Sequence, residues 1–142
     1  MYGFFMDLKA AFDRVDRKRL WEAMEKRGVR RGLTEKVKEI YESTKCAVRS
    51  QGRRSEWFLT GKGVRQGCPL SPLLFSILIA DVEEEMKKGQ VGGVLVGKER
   101  IWTLAYADDL VILAKSEEGM EEMLKRMERF LKRKKLQLNT EK

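Results

Sequence analysis

The 142-residue chain is long enough to bury one domain-sized core, and it carries a net charge of +8. That excess lies entirely in the first half: residues 1–68 hold 17 Lys and Arg against 9 Asp and Glu, whereas residues 69–142 hold 13 of each. The absence of histidine excludes His-based general bases, triads and metal ligands, and no apolar run approaches the ~20 residues of a membrane span. Cys46 and Cys68 are isolated, without metal-binding or redox spacing, and are expected as reduced thiols. No signal peptide precedes the first strand-like segment. A basic half suits a phosphate backbone, and it equally suits a generally basic soluble surface.

In chain order, Phe4–Met6 is expected as a buried strand with Asp7 at its edge. Arg17–Lys26 follows as a helix with Leu20, Trp21 and Met24 on one side, closed by Gly28. A second helix is expected over about Thr34–Ser43, with Thr34 as N-cap and Val37, Ile40 and Tyr41 apolar. Residues 46–50 and 56–60 flank Gln51-Gly52-Arg53-Arg54, a hairpin pattern with a basic tip. Ser71-Pro72 has the form of a helix start, with Ser capping and Pro in the first turn. Its expected buried stripe is Leu73, Leu74, Ile77, Leu78 and Val82. Strands are expected at Val91–Val96, Ile101–Tyr106 and Leu110–Ala114. The last helix, Glu117 to about Lys135, repeats Met120, Met123, Leu124, Met127, Phe130 and Leu131 at helical spacing. Its acids crowd the first turns and Lys132–Lys135 the last, complementing the helix dipole. The basic end is read as a solvated helix terminus, with nucleic-acid contact the alternative. With two prolines and no Gly/Ser-rich linker, one domain is expected: an α+β fold, an antiparallel sheet with helices packed on one face.

Tyr106-Ala107-Asp108-Asp109-Leu110 is the most informative stretch. It sets two adjacent carboxylates in a break between two strand-like apolar runs, so they fall at a hairpin turn. Adjacent acids at a turn are commonly just solvated; a divalent cation is the other partner that would keep them there. Asp7 also ends an apolar strand. If the strands that Asp7 and Asp108 end or interrupt are neighbours in one sheet, the carboxylates meet at one edge and could hold Mg²⁺ through oxygen ligands.

Three segments also carry a family resemblance. Asp7-Leu8-Lys9-Ala10-Ala11-Phe12-Asp13 resembles the first catalytic motif of reverse transcriptases. Residues 63–75, with Arg65-Gln66-Gly67-Cys68-Pro69-Leu70-Ser71-Pro72, resemble the second, and Tyr106 to Leu110 the third. The second segment is most similar to the non-LTR (LINE-type) retrotransposon enzymes, and residues 136–142 resemble the start of a fourth motif.

The resemblance implies a ferredoxin-like polymerase palm spanning residues 1–142. Its reaction would be attack of a primer 3′-hydroxyl on a dNTP, directed by an RNA or DNA template, with two Mg²⁺ (or Mn²⁺) ions. It implies Asp7, Asp108 and Asp109 as catalytic acids and metal ligands, with the Leu8 carbonyl as an extra ligand. Phe12 would be a steric gate against the ribose 2′-hydroxyl, its alternative being a core Phe. Gln66 and Gly67 would border the nascent base pair, Arg65 would contact phosphate, and Pro69 would lie along primer or template. Tyr106 is left as either a primer-terminus contact or a buried strand tyrosine. Lys142 would be a basic group near the leaving pyrophosphate.

The family also carries fingers and thumb subdomains, and only six residues precede Asp7. The isolated chain is therefore expected to show little or no polymerase activity. The alternative function is a non-catalytic retrotransposon remnant that at most binds nucleic acid. A nucleotide cyclase on a similar palm is disfavoured by the second and third motifs. Compartment and oligomeric state are not legible; the family implies an intracellular, nuclear location.

Overall fold

One strand with alternating burial organises the core. The computed structural model describes residues 1–139. Its elements are β1 (Tyr2–Met6), α1 (Arg17–Lys26), α2 (Arg31–Glu42), β2 (Lys45–Cys46), β3 (Arg49–Ser50), β4 (Arg53–Arg54) and β5 (Phe58–Leu59). There follow α3 (Leu70–Ile79), α4 (Val82–Lys87), β6 (Val94–Val96), β7 (Glu99–Ile101), β8 (Thr103–Tyr106), β9 (Asp109–Ala114) and α5 (Glu117–Lys134). The central sheet is antiparallel, in the order β1-β9-β8. Leu110, Ile112 and Ala114 of β9 point to the buried side, into a core shared with Met120, Met123, Met127, Phe130 and Leu131 of α5. α5 packs on β9 and β1, and α4 packs on β8, so these helices cover one face of an α+β fold.

The expected buried strand at Phe4–Met6 is only partly found. β1 is longer, and of its residues only Met6 is buried. Phe4 lies on the inward face but at the sheet's edge, and Phe5 points to the face the helices leave uncovered, where it is 80% exposed. Burial in a sheet needs a covered face, which an apolar run does not itself report.

The helices follow the sequence with three corrections. α1 has the expected bounds, is N-capped by Asp16 through Arg19 N–H at 3.1 Å, and closes on Gly28. α2 starts at Arg31, not at Thr34, so Thr34 lies within the first turn, fully buried. Arg30 enters the helix in an extended conformation, and its carbonyl already accepts the Thr34 N–H at 3.1 Å. Ser71 is not the cap of α3. The helix begins at Leu70 after Pro69, and the Ser71 hydroxyl instead donates to the Arg65 carbonyl at 2.7 Å. Leu73 is exposed while Phe75 and Ile79 are buried, and Val82 belongs to α4, because the chain breaks at Ala80–Asp81.

The expected strand over Val91–Val96 is shorter, and Ile101–Tyr106 divides. β6 and β7 form their own hairpin around Gly97–Lys98, and β8 starts after Trp102. The 46–60 hairpin is present as two short ladders, β2 with β5 and β3 with β4.

α5 ends on Lys135, a non-glycine residue in the left-handed region at φ 57°. The Leu136 N–H then bonds the Leu131 carbonyl at 3.0 Å, the reversal usually made with glycine. Lys135 Nζ meets Asp16 Oδ2 at 2.6 Å, tying the end of α5 to the cap of α1. The other cations of this helix end are also paired within the fold: Lys132 with Glu128, Arg133 with Glu85 and Lys134 with Asp81. Only Lys134 is largely buried in its pair; Lys132, Arg133 and Lys135 meet their acids while staying exposed.

The Asp16 carboxyl is held below its ordinary pKa, chiefly by its hydrogen bond to Lys135 and then by the Arg19 N–H, against the opposing effect of burial. A depressed folded-state pKa stabilises the fold above the unfolded-state value, and that stabilisation is lost as pH falls through the folded value. Asp16→Asn keeps a good helix cap but loses the charge that meets the exposed Lys135, and is expected to cost about 0.5 kcal/mol near neutral pH. In urea titrations across pH, the gap from the parent chain should close as pH falls below the usual carboxylate range.

Candidate active site

The strand register gathers the acids. Met6 pairs with Leu110 as the last pair between β1 and β9, and continuing that register by one step sets Asp7 alongside Asp109. Tyr106 pairs with Asp109 across β8 and β9, leaving Ala107 and Asp108 as a two-residue turn. Ala107 is left-handed, at φ 53°, a conformation that costs an alanine on the order of 1 kcal/mol. Asp7, Asp108 and Asp109 thus share one end of the central sheet, with Asp7 and Asp108 half-buried and Asp109 exposed. Tyr106 is 84% exposed, so the buried-tyrosine alternative is excluded. Beside it on the uncovered face stand Leu104 and Phe5, also exposed.

Asp7 is also held from the far end of the chain. After Lys135 reverses direction, residues 136–139 run antiparallel to Asp7–Lys9, with Leu8 opposite Leu138. The Asn139 N–H donates to the Asp7 carbonyl at 2.8 Å, and Lys9 N–H donates to the Gln137 carbonyl at 2.9 Å. Asn139 Nδ2 donates to Asp7 Oδ2 at 2.9 Å. These bonds use the Asp7 and Gln137 carbonyls and not that of Leu8. Lys142 lies outside the described residues.

A second group forms around the loop before α3. Phe12, Arg65, Gln66, Gly67 and Pro69 share the wall of one open pocket of about 460 Å³. Phe12 is half-buried, its ring 5.3 Å from that of Phe75, so it is at once a core contact and a pocket wall. Gln66 Nε2 donates to both carboxylate oxygens of Asp13, at 3.0 and 2.9 Å. The loop is pinned to the Asp7–Val15 turn by Val64 N–H to the Phe12 carbonyl and Gly63 N–H to the Val15 carbonyl, each 2.8 Å. Gly63 is required there: its φ is 83°, and a Cβ would stand 2.9 Å from the Asp13 carbonyl oxygen. Arg65 is exposed at the pocket wall, and one edge of its guanidinium is tied to α2 and the segment after it. Its Nη2 donates to the Ile40 carbonyl at 2.7 Å and to Thr44 Oγ1 at 3.3 Å, with the Tyr41 ring 5.7 Å away.

Arg17 was not singled out from the sequence. Its guanidinium donates to the carbonyls of Gly63, Tyr41 and Thr60 at 3.0, 2.9 and 2.6 Å, and to Thr60 Oγ1 at 3.2 Å. It therefore fastens the pocket loop to α1 and the end of α2. Burial lowers its pKa, with the nearby Arg65 charge adding to the effect and Tyr41 opposing it. Nothing in the pattern distinguishes this arginine from its neighbours Arg14 and Arg19. Asn139 was likewise unforeseen as the partner of Asp7, since the contact joins residues 132 apart.

The three acids offer only hard carboxylate oxygens, a donor set suited to Mg²⁺ or Mn²⁺. Among the described residues, no three acidic or Cys side chains converge closely enough to hold a cation as the chain stands.

The antiparallel sheet with helices on one face defines the α+β class of fold, and comparisons with known proteins narrow it. The sequence profile described as reverse transcriptase (RNA-dependent DNA polymerase) matches residues 1–142. The chain belongs to that family. It is 32% identical over 138 residues to the "Retrovirus-related Pol polyprotein from type-1 retrotransposable element R2" of Nasonia vitripennis, covering 97% of this chain and 13% of the polyprotein. It is 36% identical over 112 residues to the "RNA-directed DNA polymerase from mobile element jockey" of Drosophila funebris, covering 79% of this chain and 12% of that protein. The chain thus spans about an eighth of these curated relatives. Its fold matches an apo telomerase from Candida tropicalis with a TM-score of 0.72 at 18% identity, over 99% of this chain and 29% of that one.

Replacing Arg17 with methionine strips donors from three carbonyls at once. It is expected to cost about 3 kcal/mol in urea unfolding, at ~1–3 kcal/mol for each buried acceptor left unpaired and some of them regaining water. Lys at this position should recover only a minor part of the loss.

Proposed function

We propose that this chain is the catalytic palm of a non-LTR retrotransposon reverse transcriptase, transferring a nucleotide from dNTP to a primer 3′-hydroxyl on an RNA or DNA template. The observation that carries the reading is the β1-β9-β8 register, which sets Asp7 beside the Asp108–Asp109 turn in a chain of this family.

Asp7, Asp108 and Asp109 would hold two divalent cations, with the Leu8 carbonyl as a further ligand. When bound, the metal supplies a lowered pKa at the primer hydroxyl and charge neutralisation at the leaving pyrophosphate. Asn139, through the hydrogen bond its side-chain amide donates to Asp7, orients that carboxylate. The pocket walled by Phe12 and Gln66 receives the incoming nucleotide, with Phe12 crowding a 2′-hydroxyl and Gly67 allowing close approach of the base pair. Arg65 braces the pocket through Ile40 and Thr44 with Nη2, and the rest of its exposed guanidinium would contact a phosphate. Tyr106 offers an exposed ring to the primer end. Synthesis would also draw on regions of the relatives beyond the matched segment, the fingers and thumb among them, so the 142 residues alone would extend primers little or not at all.

A second reading, a chain that binds nucleic acid without synthesis, is favoured by one observation: the acids share a sheet end without forming a closed chelate.

Calorimetry with Mn²⁺ separates the two. The palm reading expects a dissociation constant on the order of 1 mM, as for weak carboxylate sites, lost when Asp7 and Asp108 are both changed to Asn. Equal heats from both chains would sink the metal site. Template-primer extension by the 142-residue chain is expected at background, and robust synthesis would overturn the dependence on flanking regions.

A further inference from the structure

The β2–β5 hairpin carries an anion-seeking surface that the pocket and the acids do not use. Its tip is a two-residue turn with Gln51 and Gly52 both left-handed, at φ 48° and 77°, the geometry that holds a tight hairpin rigid. On that rigid frame Arg49 and Arg54 are direct cross-strand partners, with Arg53 opposite Ser50. Like charges placed opposite one another on a ladder repel, so an unscreened pair weakens the hairpin. Among the described residues none of the three arginines forms an ion pair with an acid, unlike the cations at the end of α5. A counter-charge from outside the chain would relieve the repulsion.

The register adds an aromatic to these cations. Lys45 and Cys46 pair with Leu59 and Phe58, but Arg49 pairs with Arg54, so the returning strand carries one extra residue between the two ladders, within Ser55–Trp57. A bulge of this kind re-aims the side chains it contains. Trp57 lies under the Arg54 guanidinium, 4.9 Å from the ring centre, and is still 58% exposed. One face of the indole is occupied by the cation, while the remaining surface is open. An exposed indole beside three unneutralised guanidinium groups is the combination that binds single strands: the cations follow phosphates and the ring stacks on an unpaired base.

We propose that the 45–59 hairpin is a binding site for single-stranded nucleic acid, separate from the metal-dependent centre, with Arg49, Arg53 and Arg54 on the backbone and Trp57 stacked on a base. It extends the palm reading to a strand held outside the pocket but does not require catalysis.

The test is fluorescence anisotropy of a labelled short oligouridine against the 142-residue chain, in EDTA, over a KCl series. Changing Arg49, Arg53 and Arg54 together to Gln should weaken binding and lower the slope of log affinity against log salt by about two, at ~0.7 per phosphate contact on a single strand. Trp57→Ala should weaken binding by on the order of tenfold with the slope unchanged. These positions are exposed, and far-ultraviolet circular dichroism should show every variant folded. The proposal is overturned by an unaltered slope in the arginine variant, by a Trp57→Ala chain that binds as before, by a duplex that binds as tightly as the single strand, or by no binding from the parent chain. Because metal is absent, none of these outcomes bears on the Mn²⁺ titration, so the palm reading stands or falls separately.

Discussion

Alternation along β9 constrains the molecule more than any other feature. Leu110, Ile112 and Ala114 are buried against α5, so the strand cannot slide by one residue without exchanging its core face for its open face. With that register fixed, the partners of β9 are fixed too: Met6 falls opposite Leu110 and Thr103 opposite Ile112. The acids lie one or two residues beyond these pairs. Their meeting at the sheet end is therefore a by-product of core packing, which makes the site as rigid as the hydrophobic interface that aligns it.

Two further ties connect that sheet to the rest. Residues 136–139 return along Asp7–Lys9 and deliver Asn139 to the Asp7 carboxylate, a path that depends on the left-handed Lys135 and its pairing with Asp16. Arg17 binds three carbonyls from two segments, the end of α2 and the loop after β5, and holds that loop against α1. Both ties use polar groups at junctions where the backbone leaves regular structure and its carbonyls would otherwise lack partners. The division of labour among the cations follows. Arg17, Arg65 and the cluster at the end of α5 have partners within the fold, whereas among the described residues the arginines of the hairpin tip pair with no acid.

The family match and the R2 and jockey relatives establish the reverse transcriptase family, and the telomerase likeness extends to the fold alone. The chain spans about an eighth of the length of those relatives. Phe5, Leu104 and Tyr106 stand exposed on the uncovered face of the central sheet, at the end where the acids lie.

Much of this was legible before the structure. The period of Met120 to Leu131 gives α5, the apolar run after Asp109 gives β9, and the carboxylates at a strand end and a hairpin turn give the site, because local propensity and side-chain period depend on neighbours in sequence. What failed depended on partners elsewhere. Thr34 and Ser71 look like caps, yet one is buried within α2 and the other is drawn off to the Arg65 carbonyl and Tyr41. Phe5 looks like core but faces the side no helix covers. The roles of Arg17 and Asn139 arise from contacts across 46 and 132 residues, respectively. The sequence by itself determined which chemical groups are present and which local elements carry them. Only the tertiary structure decided which face is covered, which cations are neutralised and which loop each arginine holds, since those follow from long-range packing that no local pattern encodes.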